Sequence, residues 1–233
     1  MEYLRLYKGV SGPFLVIAPL STLSQWKRES EQWTSMNAIL FHGTARDRQL
    51  IMQYEFFPGK PLTTSELSKR KTDGHFKFQL LITSFETLRS EPSILKSIDW
   101  SYCVIDEAHR LKNRASKSFS EIKDLSWSHL LLLTGTPVQN NTEELWTLLN
   151  VLDPIKFASV EDFSQRFGEL KESAQVVELQ SILQPLLLRR LKEHVEKSLA
   201  PKEETIVEVE LTTLQKKYYR AIFDRNRTFL AGT

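Results

Sequence analysis

The stretch S-Y-C-V-I-D-E-A-H-R-L-K-N, residues 101–113, decides the fold class expected for this chain. Its run Tyr102–Ile105 is rich in β-branched and aromatic residues and stops abruptly at charge, which predicts a short buried strand. Two carboxylates, Asp106 and Glu107, follow directly, and His109 comes two residues later. Because ligands of open α/β sheets bind outside the carboxyl ends of the strands, we expect these acids to face a site and not the core.

Adjacent carboxylates at a strand end can serve two different chemical purposes. One of them can hold a hydrated Mg²⁺ ion, since hard cations prefer oxygen ligands, and the other can orient or deprotonate an attacking water. The alternative is that D-E-A-H only begins a surface helix, whose first turn favours acidic residues. A four-residue motif does not decide between these interpretations without its context.

The composition is that of a globular chain able to bury a core, with 233 residues of which 41% are apolar and 26% charged. The formal net charge is only +2, so any basic surface must be local. Cys103 is the one cysteine, which excludes disulfide scaffolds and cysteine-rich zinc sites and fits a reducing, intracellular setting. The sequence contains no apolar stretch near the ~20 residues of a membrane span, and its charged beginning is unlike a secretory signal.

Strands are predicted to alternate with helices over the first two thirds of the chain, and Ser21 or Thr22 is expected to cap a helix. This alternation is typical of βαβ units and a parallel sheet flanked by helices. The predicted strands are Phe14–Ala18, Ala38–Phe41, Phe78–Thr83, Tyr102–Ile105 and a buried Leu130–Thr134; the predicted helices are Glu2–Lys8, a helix through Trp26–Trp33, Ala45–Phe56, Phe85–Leu88 and Thr142–Leu152.

The character of the sequence changes after Pro154, where no buried strand is predicted. An alternating stretch, Thr205–Glu210, predicts a half-exposed strand after a linker at 199–204. Turn residues and a basic run predict an exposed insertion at 58–76. The helices predicted in this last third are Val160–Phe167, Ala174–Ile182, Pro185–Glu196 and Leu214–Phe229.

Three further strand ends carry small polar residues, at Pro19–Thr22, Thr83–Ser84 and Thr134–Thr136. Hydroxyls and backbone N–H groups at such an edge can contact phosphates without bulk. A turn that caps a helix explains any one of them, but not their joint occurrence. Trp26 and Trp33 lie seven residues apart on one predicted helix face, which favours core packing over a base-stacking platform.

Four motifs occur in a fixed order that resembles a known family. They are A-P-L-S-T-L-S-Q-W (18–26), T-S-F-E-T-L (83–88), D-E-A-H-R-L-K-N (106–113) and L-L-L-T-G-T-P-V-Q-N-N (131–141). They resemble motifs Ia, Ib, II and III of superfamily-two helicases, of the Swi/Snf-related chromatin-remodelling branch. Residues 186–204 and 210–222 resemble the chromodomain-helicase-DNA-binding group most closely.

This resemblance implies a RecA-like, P-loop NTPase fold of the α/β class, incomplete in this chain. Residues 1–153 would form the first RecA-like helicase lobe, 154–204 a helical protrusion or linker, and 205–233 the beginning of the second lobe. The implied cofactors are ATP and magnesium.

The resemblance also implies individual roles. Asp106 would hold the Mg²⁺ of Mg·ATP through water, and Glu107 would position or activate the hydrolytic water. His109, implied as catalytic, would couple phosphate state to the grip on DNA, together with Thr134 and Thr136. The residues implied at the nucleotide are Asp106, Glu107, Thr134, Gly135, Thr136 and Gln139, and those implied at the duplex backbone are Ser21, Thr22, Gly43, Thr83 and Ser84.

Two basic residues of motif II, Arg110 and Lys112, have three open interpretations. They can anchor the Asp106 helix, follow the phosphodiester path, or form an ordinary solvated face.

The implied activity is that of a nuclear, ATP-dependent chromatin remodeller. Its motor would couple ATP hydrolysis to translocation on double-stranded DNA and slide nucleosomes, with histones as further partners and no membrane partner. One alternative is a DNA-repair translocase of the same superfamily. Another is a truncated product that binds DNA or protein without catalysis.

The chain departs from the family at the phosphate-binding loop. No G-x-x-x-x-G-K-[ST] motif occurs in the 233 residues, and Gly59-Lys60 is followed by Pro61. Glycine amides of that loop cradle phosphates and its lysine neutralises them. We therefore expect a fragment with half of an active site and without most of the second lobe, whose status as an enzyme stays open and which alone has no appreciable ATPase activity.

Overall fold

The computed structural model describes residues 1–59, 75–112, 116–135, 142–168, 173–190, 195 and 203–225. The chain divides into two compact units, Met1–Leu183 and Gln184–Thr233. The domain limits expected at 153 and 204 stay predictions. Within the described residues, no helix is both long and apolar enough to cross a membrane.

Strand β1 (Phe14–Ala18) lies at the centre of a five-stranded parallel sheet, and each of its residues is buried. Strand order is β2-β3-β1-β5-β7. In register, Ala18 lies opposite Ser84 and Ile17 opposite Ile105, so the strands end at one edge. The other strands of this sheet are β2 (Ala38–Phe41), β3 (Leu80–Ser84), β5 (Tyr102–Ile105) and β7 (Leu130–Leu132); β4 (Asp99–Trp100) and β6 (Ser126–Trp127) form a separate parallel pair.

Helices connect these strands and continue beyond them. The α-helices are α1 (Glu2–Lys8), α2 (Leu23–Trp33), α3 (Ala45–Ile51), α4 (Phe85–Ser90), α5 (Pro92–Lys96), α6 (Lys117–Lys123), α7 (Thr142–Leu152), α8 (Val160–Phe167), α9 (Ser173–Leu183) and α10 (Thr213–Phe223). Short 3₁₀ turns cover Leu20–Thr22 and Ala108–Leu111, and α3 continues as a π-helical turn, Met52–Phe56.

The continuous apolar strands are covered on both faces, as their sequence indicates. Alternate residues of β1 point to opposite sides, so Leu15 and Ile17 join one hydrophobic cluster, whereas Phe14 and Val16 join another. A third cluster joins α7, α8 and α9 through Trp146, Leu149, Phe157, Phe163, Phe167 and Leu179. Helix α7 also buries Leu148 and Val151 in the first cluster, which fixes α7 to the sheet.

A cluster of phenylalanines joins the two sides of residues 60–74. The rings of Phe57 and Phe76 lie 5.6 Å apart, and Phe56 packs on Phe78 at 5.2 Å. The backbone N–H of Lys77 donates to the carbonyl of Phe56 at 2.9 Å, which closes the chain on itself. We call these contacts the phenylalanine clamp. Most of the insertion predicted at 58–76 lies outside the described residues.

Two predictions for the sheet are corrected by the structure. Strand β7 was expected to be buried and to reach Thr134, but it ends at Leu132 and Leu131 is 41% exposed. The reason is that β7 is the last strand in the sheet order, so its residues are less covered than those of β1. Strand β3 begins at Leu80, because Phe78 packs in the phenylalanine clamp before the ladder starts.

The predicted cap on α2 is also wrong. Thr22 precedes α2, but its φ and ψ of −104° and −6° differ from the extended backbone that a capping residue needs. Its hydroxyl donates instead to the carbonyl of Pro19, 3.1 Å away.

In the second unit, the predicted helix Pro185–Glu196 is helical only at Val195 among its described residues, and the predicted strand Thr205–Glu210 is absent from the described residues. Residues 185–190 are not helical, and Leu188 is 81% exposed, so the apolar side chains lack the packing that stabilises most protein helices. Residues 205–210 form no strand, and Ile206 is 89% exposed, because a strand needs a partner ladder. Helix α10 begins with a capping box at Thr212 and ends at Phe223, earlier than predicted, although 226–229 lie outside the description.

Burial of Cys103 leads to a first testable prediction. The thiol is fully buried in β5, and desolvation raises its pKa, so the reactive thiolate is disfavoured. We expect a maleimide or iodoacetamide to label the native chain at least about 10²-fold more slowly than an exposed thiol, because reaction requires opening of a core strand.

Intact-mass kinetics measure this labelling. The control is Ser24→Cys, which adds a thiol at an exposed position of α2 and should react rapidly once per chain. Equal rates for Cys103 and the added thiol would contradict the buried strand.

Candidate functional site

Asp106 lies at the carboxyl end of β5, where its backbone and side chain are both held. Its N–H donates to the carbonyl of Ile17 on β1 at 2.8 Å. Oδ1 accepts from the N–H of Glu107 at 2.9 Å, and Oδ2 accepts from Nε1 of Trp26 on α2 at 2.9 Å. The orientation of this carboxylate is therefore fixed from two sides.

Glu107 has a backbone conformation that few residues other than glycine adopt. Its φ and ψ are 52° and 47°, in the left-handed region, and the 3₁₀ turn Ala108–Leu111 begins immediately after it. Such a conformation costs about 1–3 kcal/mol and persists only where the surroundings enforce it. The turn separates the two acids, so that Asp106 contacts α2 whereas Glu107 contacts His109.

The imidazole of His109 lies beside the carboxylate of Glu107. Nδ1 of His109 lies 3.1 Å from Oε2 of Glu107, and about 40% of each side chain is exposed, 39% and 43%. The atom Nδ1 itself is shielded from solvent and the contact lacks hydrogen-bond geometry. It is therefore an ionic contact that exists when the imidazole is protonated.

Arg110 and Lys112 anchor the turn that follows the acids, which is one of the three interpretations left open by the sequence. Arg110 donates to Oε1 of Glu86 on α4 at 3.0 Å, and its guanidinium lies 4.7 Å from the ring centre of Phe85. Lys112 Nζ lies 2.6 Å from Oε2 of Glu144 on α7. Burial acts to raise the pKa of Glu86, but hydrogen bonds from its own backbone N–H and from Arg110 outweigh burial and lower that pKa.

Residues after β7 lie next to the acids. The N–H of Leu133 donates to the carbonyl of Ile105, and the N–H of Ala108 donates to the carbonyl of Leu133, each at 2.8 Å. Thr134 is half-buried and Gly135 is exposed beside this contact. Thr136 and Gln139 lie outside the described residues, so their placement stays a prediction.

An open hollow of about 290 Å³ lies beside Asp106, between the sheet edge and α2. It is lined by Thr22, Gln25, Trp26, Glu29 and Asp106. Among the described residues, no three His, Cys, Asp or Glu side chains are grouped to enclose a metal ion. Each Asp106 oxygen accepts one protein hydrogen bond and retains capacity to accept more, so the residues present fit a magnesium ion held through its own waters.

The five residues implied at the duplex backbone fall into two groups. Thr83 is fully buried and its hydroxyl donates to the carbonyl of Phe41 at 2.7 Å. Ser84 is also buried, and its hydroxyl oxygen accepts from the N–H of Thr87 as the cap of α4. These two hydroxyls serve the fold in this structure and are not presented to a ligand. Ser21 and Gly43 are exposed and Thr22 is half-buried.

The backbone conformation and the close packing at position 43 favour glycine. Its φ is 110°, and a Cβ there would lie 2.9 Å from Oδ2 of Asp47. Asp47 closes a capping box with Thr44 at the start of α3, and hydrogen bonds from Thr44 lower the pKa of the Asp47 carboxyl. Asp47 therefore occupies the space that a side chain at 43 would need.

Trp26 is the site residue that the sequence analysis missed. Core packing was expected for both tryptophans of α2, but Trp33 is 78% exposed and donates to Glu29, whereas half-buried Trp26 donates to Asp106. The seven-residue spacing places both rings on one side of α2, but Trp33 occupies the last turn, where its N–H is satisfied on the exposed side. The only sequence signal was the position of Trp26 at the end of the 18–26 motif.

The parallel sheet flanked by helices, with paired acids at its carboxyl edge, places the chain in the α/β class. A sequence profile of the SNF2-related domain matches residues 1–232, and the chain belongs to this family. The expected α/β class and the resemblance to the Swi/Snf-related branch are thereby confirmed.

Relatives and a solved structure agree with this membership. The chain is 53% identical over 227 residues to chromodomain-helicase-DNA-binding protein 6 of Rattus norvegicus and 52% identical over 223 residues to chromodomain-helicase-DNA-binding protein 8 of Homo sapiens. Each match covers 96% of this chain but only 8% of the relative. The Sulfolobus solfataricus SWI2/SNF2 ATPase core in complex with dsDNA is similar in structure, with a TM-score of 0.63, 28% identity, and coverage of 84% of this chain and 36% of that one.

Proposed function

We propose that this chain is part of the motor of an ATP-dependent chromatin remodeller. The motor would couple ATP hydrolysis to translocation on double-stranded DNA and slide nucleosomes in the nucleus, where it would meet histones. The observation that carries this proposal is the fixed pair of acids after β5, in which Asp106 and Glu107 have separate partners. The similarity to chromodomain-helicase-DNA-binding proteins favours a remodeller over a DNA-repair translocase.

Bound Mg·ATP would supply the bond that is broken and the cation that neutralises phosphate charge. Asp106 would hold the metal's water shell with a carboxylate that is already oriented, so little reorganisation is needed. Glu107 would position the hydrolytic water and accept its proton on the carboxylate. His109 and the segment 133–135, which contacts the same turn, would transmit the state of this site toward bound DNA.

The proposed duplex contacts are made by the exposed strand-end residues Ser21 and Gly43 with Thr22. The DNA-bound state of the Sulfolobus solfataricus protein supports a duplex as the ligand. We propose residues 1–153 as the first lobe, 154–204 as the protrusion or linker, and 205–233 as the beginning of the second lobe. The second candidate function is DNA or protein binding without catalysis, which the exposed residues Ser21 and Gly43 at the sheet edge also support.

A segment exchange tests the proposal. This chain replaces the aligned segment of human chromodomain-helicase-DNA-binding protein 8, and the chimera is assayed for DNA-stimulated phosphate release and for sliding of end-positioned nucleosomes. We expect both activities in the chimera and neither in the chain alone. A folded chimera that binds DNA without hydrolysing ATP would overturn the motor and support the second candidate.

A charge placed at the proposed DNA edge gives a further prediction. Ser21→Glu should weaken duplex binding by the chain about fivefold near 0.1 M salt, because two like charges ~4 Å apart in water repel by about 1 kcal/mol. The effect should shrink as salt rises, since exposed charges are screened.

Fluorescence anisotropy with a labelled duplex measures this affinity over a salt series. The matched control is Ser181→Glu, an exposed serine on α9. Equal weakening by both variants would indicate a general charge effect and would contradict a contact at Ser21.

A further inference from the structure

Trp26 makes a hydrogen bond that core packing does not require. Its ring packs against the second hydrophobic cluster, yet its N–H leaves that cluster to donate to Oδ2 of Asp106, 80 residues away in sequence. The other tryptophan of α2, Trp33, satisfies its indole N–H within the helix, because it donates to Glu29 one turn back. The bond from Trp26 therefore connects two different elements, α2 and the end of β5.

The chemistry of this donor suits a cation site. An indole N–H is neutral and can only donate, so it orients a carboxylate oxygen without cancelling the negative charge that attracts a divalent cation. An arginine or lysine in the same place would compete with that cation. Among the described residues, the hydrogen bonds to the Asp106 carboxylate come from Nε1 of Trp26 and from the N–H of Glu107, one to each oxygen.

The surroundings leave room for a hydrated ion. Trp26 and Asp106 line the same open hollow of about 290 Å³, together with Thr22, Gln25 and Glu29. Groups that orient metal-binding side chains typically affect metal affinity or activity by 10- to 100-fold, roughly, when they are removed.

We propose that Trp26 is a positioning residue that fixes Asp106 for the magnesium ion of the nucleotide. This inference rests on the proposed function, because it concerns the same carboxylate. It predicts that the ring of Trp26 lies next to the bound cation and that its N–H, not its apolar bulk, sets the requirement for magnesium.

The first experiment uses the chain itself and does not depend on catalysis. The five tryptophan indoles are labelled with ¹⁵N and assigned by single Trp→Phe variants, and Mn²⁺ is added as a paramagnetic substitute for Mg²⁺. We expect the N–H resonance of Trp26 to broaden at lower Mn²⁺ than that of Trp33, and this preference to disappear in Asp106→Asn. Equal broadening of all five indoles, or a preference unchanged by Asp106→Asn, would overturn the inference.

The second experiment uses the chimera and compares Trp26→Phe with Trp33→Phe. Each substitution keeps an aromatic ring and removes one indole N–H. We expect Trp26→Phe to raise the Mg²⁺ concentration for half-maximal ATP hydrolysis about tenfold, with DNA affinity unchanged and with Trp33→Phe near the unmodified value.

The two experiments separate the inference from the function on which it rests. An unmodified chimera that hydrolyses ATP, together with equal Mg²⁺ requirements for both variants, would overturn the role of Trp26 and leave the motor in place. An inactive but folded chimera would overturn the motor, and the Mn²⁺ experiment on the chain would then decide whether Trp26 adjoins a cation.

Discussion

Glu107→Gln in the chimera is expected to lower DNA-stimulated ATP hydrolysis by about 10²- to 10⁴-fold, the usual contribution of a general base. Glutamine keeps the shape of the side chain and can adopt the same backbone conformation, but its amide cannot accept the proton of the attacking water. Affinity for duplex DNA should not change, because the proposed DNA contacts lie at Ser21, Thr22 and Gly43. Phosphate release and anisotropy measure the two quantities separately.

The matched control for this substitution is Glu29→Gln. Glu29 also lies at the hollow beside Asp106, but its carboxylate accepts from Trp33. We expect its activity to stay within about twofold of the unmodified chimera, in line with the small effects of most surface changes. More than a tenth of the activity remaining in Glu107→Gln would exclude Glu107 as the base.

Phe56→Ala is expected to lower the free energy of unfolding of the first unit by about 3–5 kcal/mol, the range for phenylalanine removed from a core. Phe56 is 0% exposed and contacts three other aromatic rings, those of Phe41, Phe57 and Phe78. Alanine would leave a cavity among rings that the backbone holds in place. Urea denaturation of the chain, followed by the fluorescence of its tryptophans, measures the loss.

Tyr54→Ala is the control in the same helical turn. Tyr54 is 52% exposed, and we expect a loss within about 0.5 kcal/mol. If Phe56→Ala does not fold, Phe56→Leu keeps the prediction testable, because this variant should lose a smaller but measurable part of the free energy of unfolding. Equal denaturation midpoints for the Phe56 and Tyr54 variants would contradict the core position of Phe56.

The central strands were predictable because their signal is local. The apolar run of β1 and the abrupt charge after β5 indicate buried strands ending at a site, and the structure places Asp106 and Glu107 there. The exposure of β7 was not predictable from its three leucines, because an edge position depends on strand order. In the same way, 205–210 has the pattern of a strand, but pairing requires a partner that its own sequence does not specify.

The sequence predicted those residues of the candidate site that belong to a recognisable motif, but not the contacts between distant motifs. Spacing after β5 indicated the acids, but the partner of Asp106 is 80 residues away, and no local pattern relates Trp26 to it. Thr83 and Ser84 were expected to face the duplex backbone but are buried, for a related reason. Both faces of their strand are covered, so alternation along the sequence gives no outward position for a hydroxyl.

Because of the phenylalanine clamp, the number of residues between 60 and 74 should have little effect on the free energy of unfolding. Since Phe57 meets Phe76 and Lys77 meets Phe56, both sides of residues 60–74 are already held together by the core. The entropic cost of joining two fixed ends grows by only about 0.6 kcal/mol for each doubling of the number of residues between them. A fluorescent reporter inserted between 60 and 74 should therefore leave Asp106 and its neighbours undisturbed.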